Sequence, residues 1–273
     1  MAPELQADLD LHVASLEVVA LQGQDAEPLA LSRTRNLLDV VGLNAQGDPR
    51  YPAFEALRQL EVFHEDENLA LRREGIPREF LPEVEAAAAA ASDSWSRTGR
   101  VDLTGLYTVA IDGEHTTEVD DAFAIDGNRL VVFIADAGAF APIGGAVDEE
   151  ARRRISTLYL PDDVIPMLPA SLGQGSASLA AGQERPTLAM SFRLDPNGEI
   201  VDFQLQEAIC QLDTRVCYTH TDELLRGEPG DDPRTGALVR TAQRMMSSHR
   251  RWRMNRGALH LQRSEVDIEL APD

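Results

Sequence analysis

The sequence predicts an α+β chain: a small helical N-terminal domain followed by a mixed α/β domain. Three observations predict it. Residues 1–75 repeat apolar side chains at helical spacing and hold few aromatics. From about residue 106, all-apolar and period-two runs take over. Between them, GIPREFLPEVEAAAAAAS joins a Pro-punctuated stretch to an Ala-rich run. The expected domains are therefore 1–75, helical; 76–105, a connector with one helix; and 106–273, the mixed domain.

In SRTRNLLDVVGL, Ser32 can cap a helix and Gly42 can stop it. FEALRQLEVF places Phe54, Leu57, Leu60 and Val62/Phe63 on one helical face. Short helices with a tight turn fit a helix-turn-helix or winged-helix module, and a plain helical cap fits as well. In the connector, Ser92 or the WSRTGR turn ends the Ala-rich helix. LYTVAID, AFAID and RLVVFIADAG read as strands, with Gly127-Asn128 turning between the last two. AVDEEARRRISTLYLP starts as a helix and ends extended. LAMSFRLDPNGEIVDFQLQEAIC is a hairpin turning at Pro196-Asn197-Gly198. RGEPGDDPRTG reads as a polar loop, and ALVRTAQRMMSSHRRWRMNRG as a helix ending at Gly257.

No apolar run reaches the ~18 residues of a membrane span. MAPELQADLDLH lacks the basic start and apolar stretch of a signal peptide. Cys210 and Cys217 alone build no disulfide framework, and a cytoplasmic protein is the simple expectation. The formal charge of -21 argues against a general polyanion binder. The charge is uneven, however. All 25 basic residues are Arg, and seven of them (Arg240, Arg244, Arg250, Arg251, Arg253, Arg256, Arg263) lie in a segment without Asp or Glu. Arginine forks fit phosphate bidentately.

The densest chemistry is AIDGEHTTEVDD, with Asp112, Glu114, Glu118, Asp120 and Asp121 in twelve residues between apolar runs. Asp112 ends a predicted strand, and a loop of this length can fold back to bring Glu118, Asp120 and Asp121 near it. Crowded carboxylates repel and hold protons. A hard divalent cation such as Mg2+, which takes oxygen ligands, relieves the repulsion. No Cys or paired His stands nearby to favour zinc. By spacing alone, an acidic surface loop is equally open; the flanking buried strands favour a metal site.

The same stretch resembles the signature of the ribonuclease II (RNB) family of processive 3′-to-5′ exoribonucleases. The resemblance runs from GIPREF through VDLTGLYTVAIDGEHTTEVDDAFAI, LVVFIADAGAF, AVDEEARRRISTLYLPDDVIPMLPASL, ERPTLAMSF and RVCYT to RRWRMNRGAL, roughly residues 75–263. It implies that the second domain is the N-terminal part of an RNB nuclease domain. It places four catalytic, Mg2+-holding acids at Asp112, Glu118, Asp120 and Asp121. The second of these is normally Asp, so Glu118 departs from the pattern. It also implies that Tyr159 clamps bases near the RNA 3′ end and that Tyr218 contacts the last nucleotides; a core tyrosine needing a hydroxyl partner is the alternative for each, and for Tyr218 it fits equally. Arg250, Arg251 and Arg253 would track the RNA backbone. The expected activity is Mg2+-dependent hydrolysis of single-stranded RNA to nucleoside 5′-monophosphates. The alternatives are a non-catalytic RNA-binding or regulatory protein of the same fold and a phosphoesterase for small substrates. The resemblance further implies a remaining C-terminal part of the enzyme as partner, in the same polypeptide or a second chain, because later family elements do not follow RRWRMNRGAL. Without that part, the chain is expected to expose apolar surface and to be inactive.

Overall fold

The computed structural model describes residues 3–43 and 47–261. Arg263 lies outside them. The chain divides into two compact units, one running to Arg78 and one starting at Glu79.

The first unit packs α1 (Pro3–Gln22) against α2 (Pro28–Val40), α3 (Arg50–Gln59) and the short α4 (Leu69–Glu74). Leu16, Val19, Leu38 and Leu57 are fully buried at its centre. Each such side chain contributes roughly 1.5–3 kcal/mol by leaving water. Helix α2 begins at Pro28, four residues before Ser32, so Ser32 is not its cap. Proline takes the first helical position because its missing N–H would have had no partner there. Gly42 does mark the stop, at φ +75°. Helix α3 ends before Leu60, and Glu61 turns the chain at φ +57°. Phe63 still reaches the core, 5.8 Å from the Phe54 ring. No strand occurs among this unit's described residues, so they contain no β-wing.

The second unit opens with α5 (Pro82–Ala91), which Ser92 ends. It is built on a seven-stranded sheet: β1 (Val101–Asp102), β2 (Thr108–Asp112), β3 (Asp121–Asp126), β4 (Arg129–Ala135), β7 (Glu184–Leu194), β8 (Ile200–Gln211) and β9 (Thr214–Cys217). The spatial order is β1-β8-β7-β4-β3-β2-β9, with parallel pairing only at its two edges. Helix α6 (Ala146–Arg154) and the small ribbon β5 (Leu158–Tyr159) and β6 (Val164–Ile165) lie between β4 and β7 in sequence. The hairpins match the sequence expectation. At the β7–β8 turn the Asp195 carboxylate accepts the N–H groups of Asn197 and Glu199, and Gly198 supplies φ +91°.

One face of the sheet buries Ala110, Ala122, Ala124, Val131, Phe133, Ala189, Ala208 and Cys210. Part of the other is covered by α7 (Tyr218–Arg226) and α8 (Pro233–Asn255), through Leu224, Leu238 and Val239. Phe203 and Leu205 remain 56% and 60% exposed on β8. Helix α7 and the edge strands β1 and β9 were not expected; the two strands, of two and four residues, carry too little periodicity to read. Helix α8 begins inside the expected polar loop, because the Asp232 side chain accepts the Arg234 N–H and caps it. Among the described residues, no helix is long and apolar enough to cross a membrane.

Candidate active site

Antiparallel pairing of β2 with β3 brings the last residue of one strand beside the first of the next. Asp112 and Asp121 therefore sit at one end of the sheet, with the loop 113–120 above them. That loop is tied on both sides. The Gly113 N–H and the Thr116 hydroxyl each donate to Asp112 Oδ1 at 2.7 Å. The Ala135 N–H donates to the Asp120 carbonyl at 2.8 Å, and the Val119 N–H to Ser178 Oγ at 2.9 Å. Arg215, on β9, donates to the carbonyls of Thr116 and Glu114.

The result is a cleft of about 840 Å³ lined by Asp112, Glu118, Asp120, Asp121, Tyr159 and Gln174, among others. Among the described residues, none of these four carboxylates forms an ion pair with Arg or His. Burial, and then the neighbouring Asp120 charge, raises the Glu118 carboxyl above its usual range. Burial and Asp112 raise Asp120; burial, Asp112 and Asp120 raise Asp121. The Tyr159 hydroxyl is pushed up too, first by burial and then by the charges of Glu118, Asp120 and Asp112. Its residue is nonetheless 73% exposed, leaving surface free to stack.

A second arginine at this end of the sheet is committed elsewhere. Arg100 is buried and donates to Asp136 at 2.6 Å and to the Thr187 carbonyl. Neither Arg100 nor Arg215 therefore neutralises the quartet. All its donors are oxygens, which is the chemistry a hard divalent cation takes. Among the described residues, no three acids, histidines or cysteines close around a single point. The donor set thus fits such an ion as an open carboxylate-lined cleft rather than a finished cage. A nuclease Mg2+ needs only one or two carboxylates, the rest of its shell being water and phosphate.

The other predicted residues are placed differently. Tyr218 is 62% exposed and directly follows Cys217, whose Cα is registered with Asp112 in the β2–β9 pair. It therefore stands at the same end of the sheet, though outside the cleft lining. Arg250, Arg251 and Arg253 lie on the second half of α8, away from the carboxylates. Their stretch docks on the β7–β8 turn, where Nδ1 of His249 lies 2.9 Å from the Gly198 carbonyl. Strand β7 passes the carboxylate end near Leu188 and reaches Leu194 six residues later, ~20 Å away at ~3.3 Å per residue. Arg250 and Arg253 line a separate cleft of about 350 Å³ with Met246 and His260. Sequence reasoning missed Ser178, Arg215, Gly173 and Gln174. Their contacts with the loop join positions up to 101 residues apart, which no local pattern reveals.

Residues 100–273 match the model of the RNB domain. An uncharacterized ribonuclease of Synechocystis sp. is 31% identical over 80% of this chain and 33% of its own length. Ribonuclease R of Thermotoga maritima is 32% identical over 71% of this chain and 28% of its own. Among solved structures, Mycoplasma genitalium RNase R in complex with ribose-methylated single-stranded RNA superposes with a TM-score of 0.69, at 22% identity, over 82% of this chain and 37% of that one. The chain thus spans about a third of the length of these relatives. The domain match covers well over half of the sequence and includes the whole carboxylate cleft, so the chain belongs to the RNB-domain family.

Proposed function

We propose that this chain carries the catalytic carboxylates of a Mg2+-dependent, processive 3′-to-5′ exoribonuclease that hydrolyses single-stranded RNA to nucleoside 5′-monophosphates. The observation that carries the reading is a cleft in which four carboxylates lack any cationic partner among the described residues and three have raised carboxyls. Asp112, Glu118, Asp120 and Asp121 are the residues that would hold Mg2+. Bound there, it would activate water and stabilise the departing 3′ oxygen. The exposed face of Tyr159 stacks on a base near the scissile phosphate, a contact worth ~1–3 kcal/mol and tolerant of sequence. Tyr218, at the same sheet end, contacts the terminal nucleotides. Arg250, Arg251 and Arg253 are too far along the sheet to touch the same phosphate, and hold a more distant part of the strand. The remaining part of the enzyme is a required partner. The exposed Phe203 and Leu205 and the relatives' greater length support this.

The test is 5′-labelled single-stranded RNA with Mg2+ or EDTA, using this chain and its Asp120→Asn variant in the longest native polypeptide that contains them. A ladder that EDTA and Asp120→Asn both abolish, with RNA affinity kept, is the expected result. RNA bound but never shortened would replace the exonuclease with a non-catalytic RNA-binding protein.

A further inference from the structure

We propose that Gly173 is a positioning residue for the Glu118 carboxylate: the side chain missing at 173 is the space in which that carboxylate lies. Gly173 sits in the irregular helical turn Ser171–Ser176, its N–H donating to the Pro169 carbonyl at 3.0 Å. Its backbone is not left-handed, so conformation does not demand glycine. Space does. A Cβ at 173 would stand 2.9 Å from Glu118 Oε1 and 3.5 Å from Glu118 Cδ. The next atom, the Leu168 carbonyl oxygen, is at an ordinary 3.7 Å. Only the end of Glu118 is in the way.

The backbone cannot readily relieve that contact by sliding apart. The Val119 N–H is held by Ser178 Oγ and the Leu179 N–H by the Val119 carbonyl, so loop and turn are fastened on the far side of Glu118. A methyl at 173 would therefore leave the fold intact and swing the carboxylate. Ordinary contact begins at 3.4 Å, so the oxygen must move by at least about half an ångström. Catalytic groups tolerate about that much error. An aspartate at 118 would end one carbon–carbon bond earlier, about 1.5 Å, and clear the methyl. Glu118 and Gly173 are thus a matched pair. The catalytic consequence rests on the exonuclease reading; the positional one does not.

The experiment compares G173A, E118D and G173A/E118D in the full native polypeptide, by crystal structure and by RNA cleavage. In G173A the Glu118 carboxylate is displaced by at least about half an ångström within an unchanged fold. The G173A change costs at least about tenfold in kcat alone, and less than about twofold when added to E118D. An unmoved carboxylate in G173A, or an equal cost in both backgrounds, overturns the proposal. If the wild-type enzyme cleaves no RNA, the exonuclease reading fails, and the crystallographic comparison still decides the role of Gly173.

Discussion

The two ends of the central sheet treat negative charge in opposite ways. At the far end, Asp202 accepts from Arg129 and Arg193, and these hydrogen bonds hold its carboxyl below the usual range. Asp195 is lowered there by the backbone N–H of Glu199 first and by the Asn197 side chain. At the near end, Glu118, Asp120 and Asp121 are raised by burial and by one another. Two arginines near this end are used otherwise, Arg100 on Asp136 and Arg215 on carbonyls. A region that neutralises its acids is built for stability. A region that leaves them crowded holds a charge for something else to neutralise, at a cost to the metal-free fold.

The largest expected effect breaks the near end. Asp120→Asn lowers kcat by at least about a thousandfold, on the order of 4 kcal/mol in the barrier. The same change relieves repulsion, so the metal-free protein melts about 2 °C higher. A lower melting temperature would mean that the crowding is not costly. Next comes the largely buried Arg100–Asp136 pair. Asp136→Ala strands Arg100 and destabilises the sheet unit by roughly 3 kcal/mol in urea titrations. Replacing Arg250, Arg251 and Arg253 together by Ala weakens long RNA by about tenfold, ~1.4 kcal/mol. It also flattens the salt dependence of binding and leaves the shortest substrates unaffected; equal loss on short and long RNA would bring those arginines to the carboxylate end. The smallest change is at the far end, where Arg129→Gln costs less than about 1 kcal/mol and leaves cleavage alone.

Acidity sharpens the same contrast. A carboxyl raised in the folded state binds protons more readily there than in the unfolded chain. Its contribution to stability is therefore full below the unfolded carboxylate range, and is lost as pH rises through the raised folded values. For Glu118, Asp120 and Asp121 the metal-free protein loses this contribution as pH rises upward from the unfolded carboxylate range. Melting curves of wild type and Asp120→Asn across that window isolate this component from the surface acids, such as Asp232, whose carboxyl is held at about 2 by Arg234 and which acts in the opposite sense. Saturating Mg2+ removes the difference between the two ends of the pH range. A slope of opposite sign, or one Mg2+ leaves untouched, would count against the crowded-carboxylate account.

How much of this was legible depends on range. The hairpin at Pro196-Asn197-Gly198, the Gly127-Asn128 turn and the Ala-rich α5 follow from neighbours in sequence, and the structure has them where the pattern put them. The placement of Asp112 and Asp121 at one strand end follows in the same way, since a short connection between adjacent strands must return the chain to the edge it left. Ser32 misled because a capping residue type was weighed above the Pro28 that begins α2 four residues earlier.

By itself, the sequence determined the class of fold and the gathering of acidic residues at one strand end, because local turn chemistry and strand period are written in consecutive residues; the choice of Asp112, Glu118, Asp120 and Asp121 as the quartet came from the family resemblance. Only the tertiary structure decided the rest. It put Tyr218 beside Asp112 through a parallel edge pairing, moved the arginines of α8 to the far end, and set Gly173 against Glu118. Those juxtapositions join segments dozens of residues apart. Packing and charge select them from many arrangements that the same local pattern would allow.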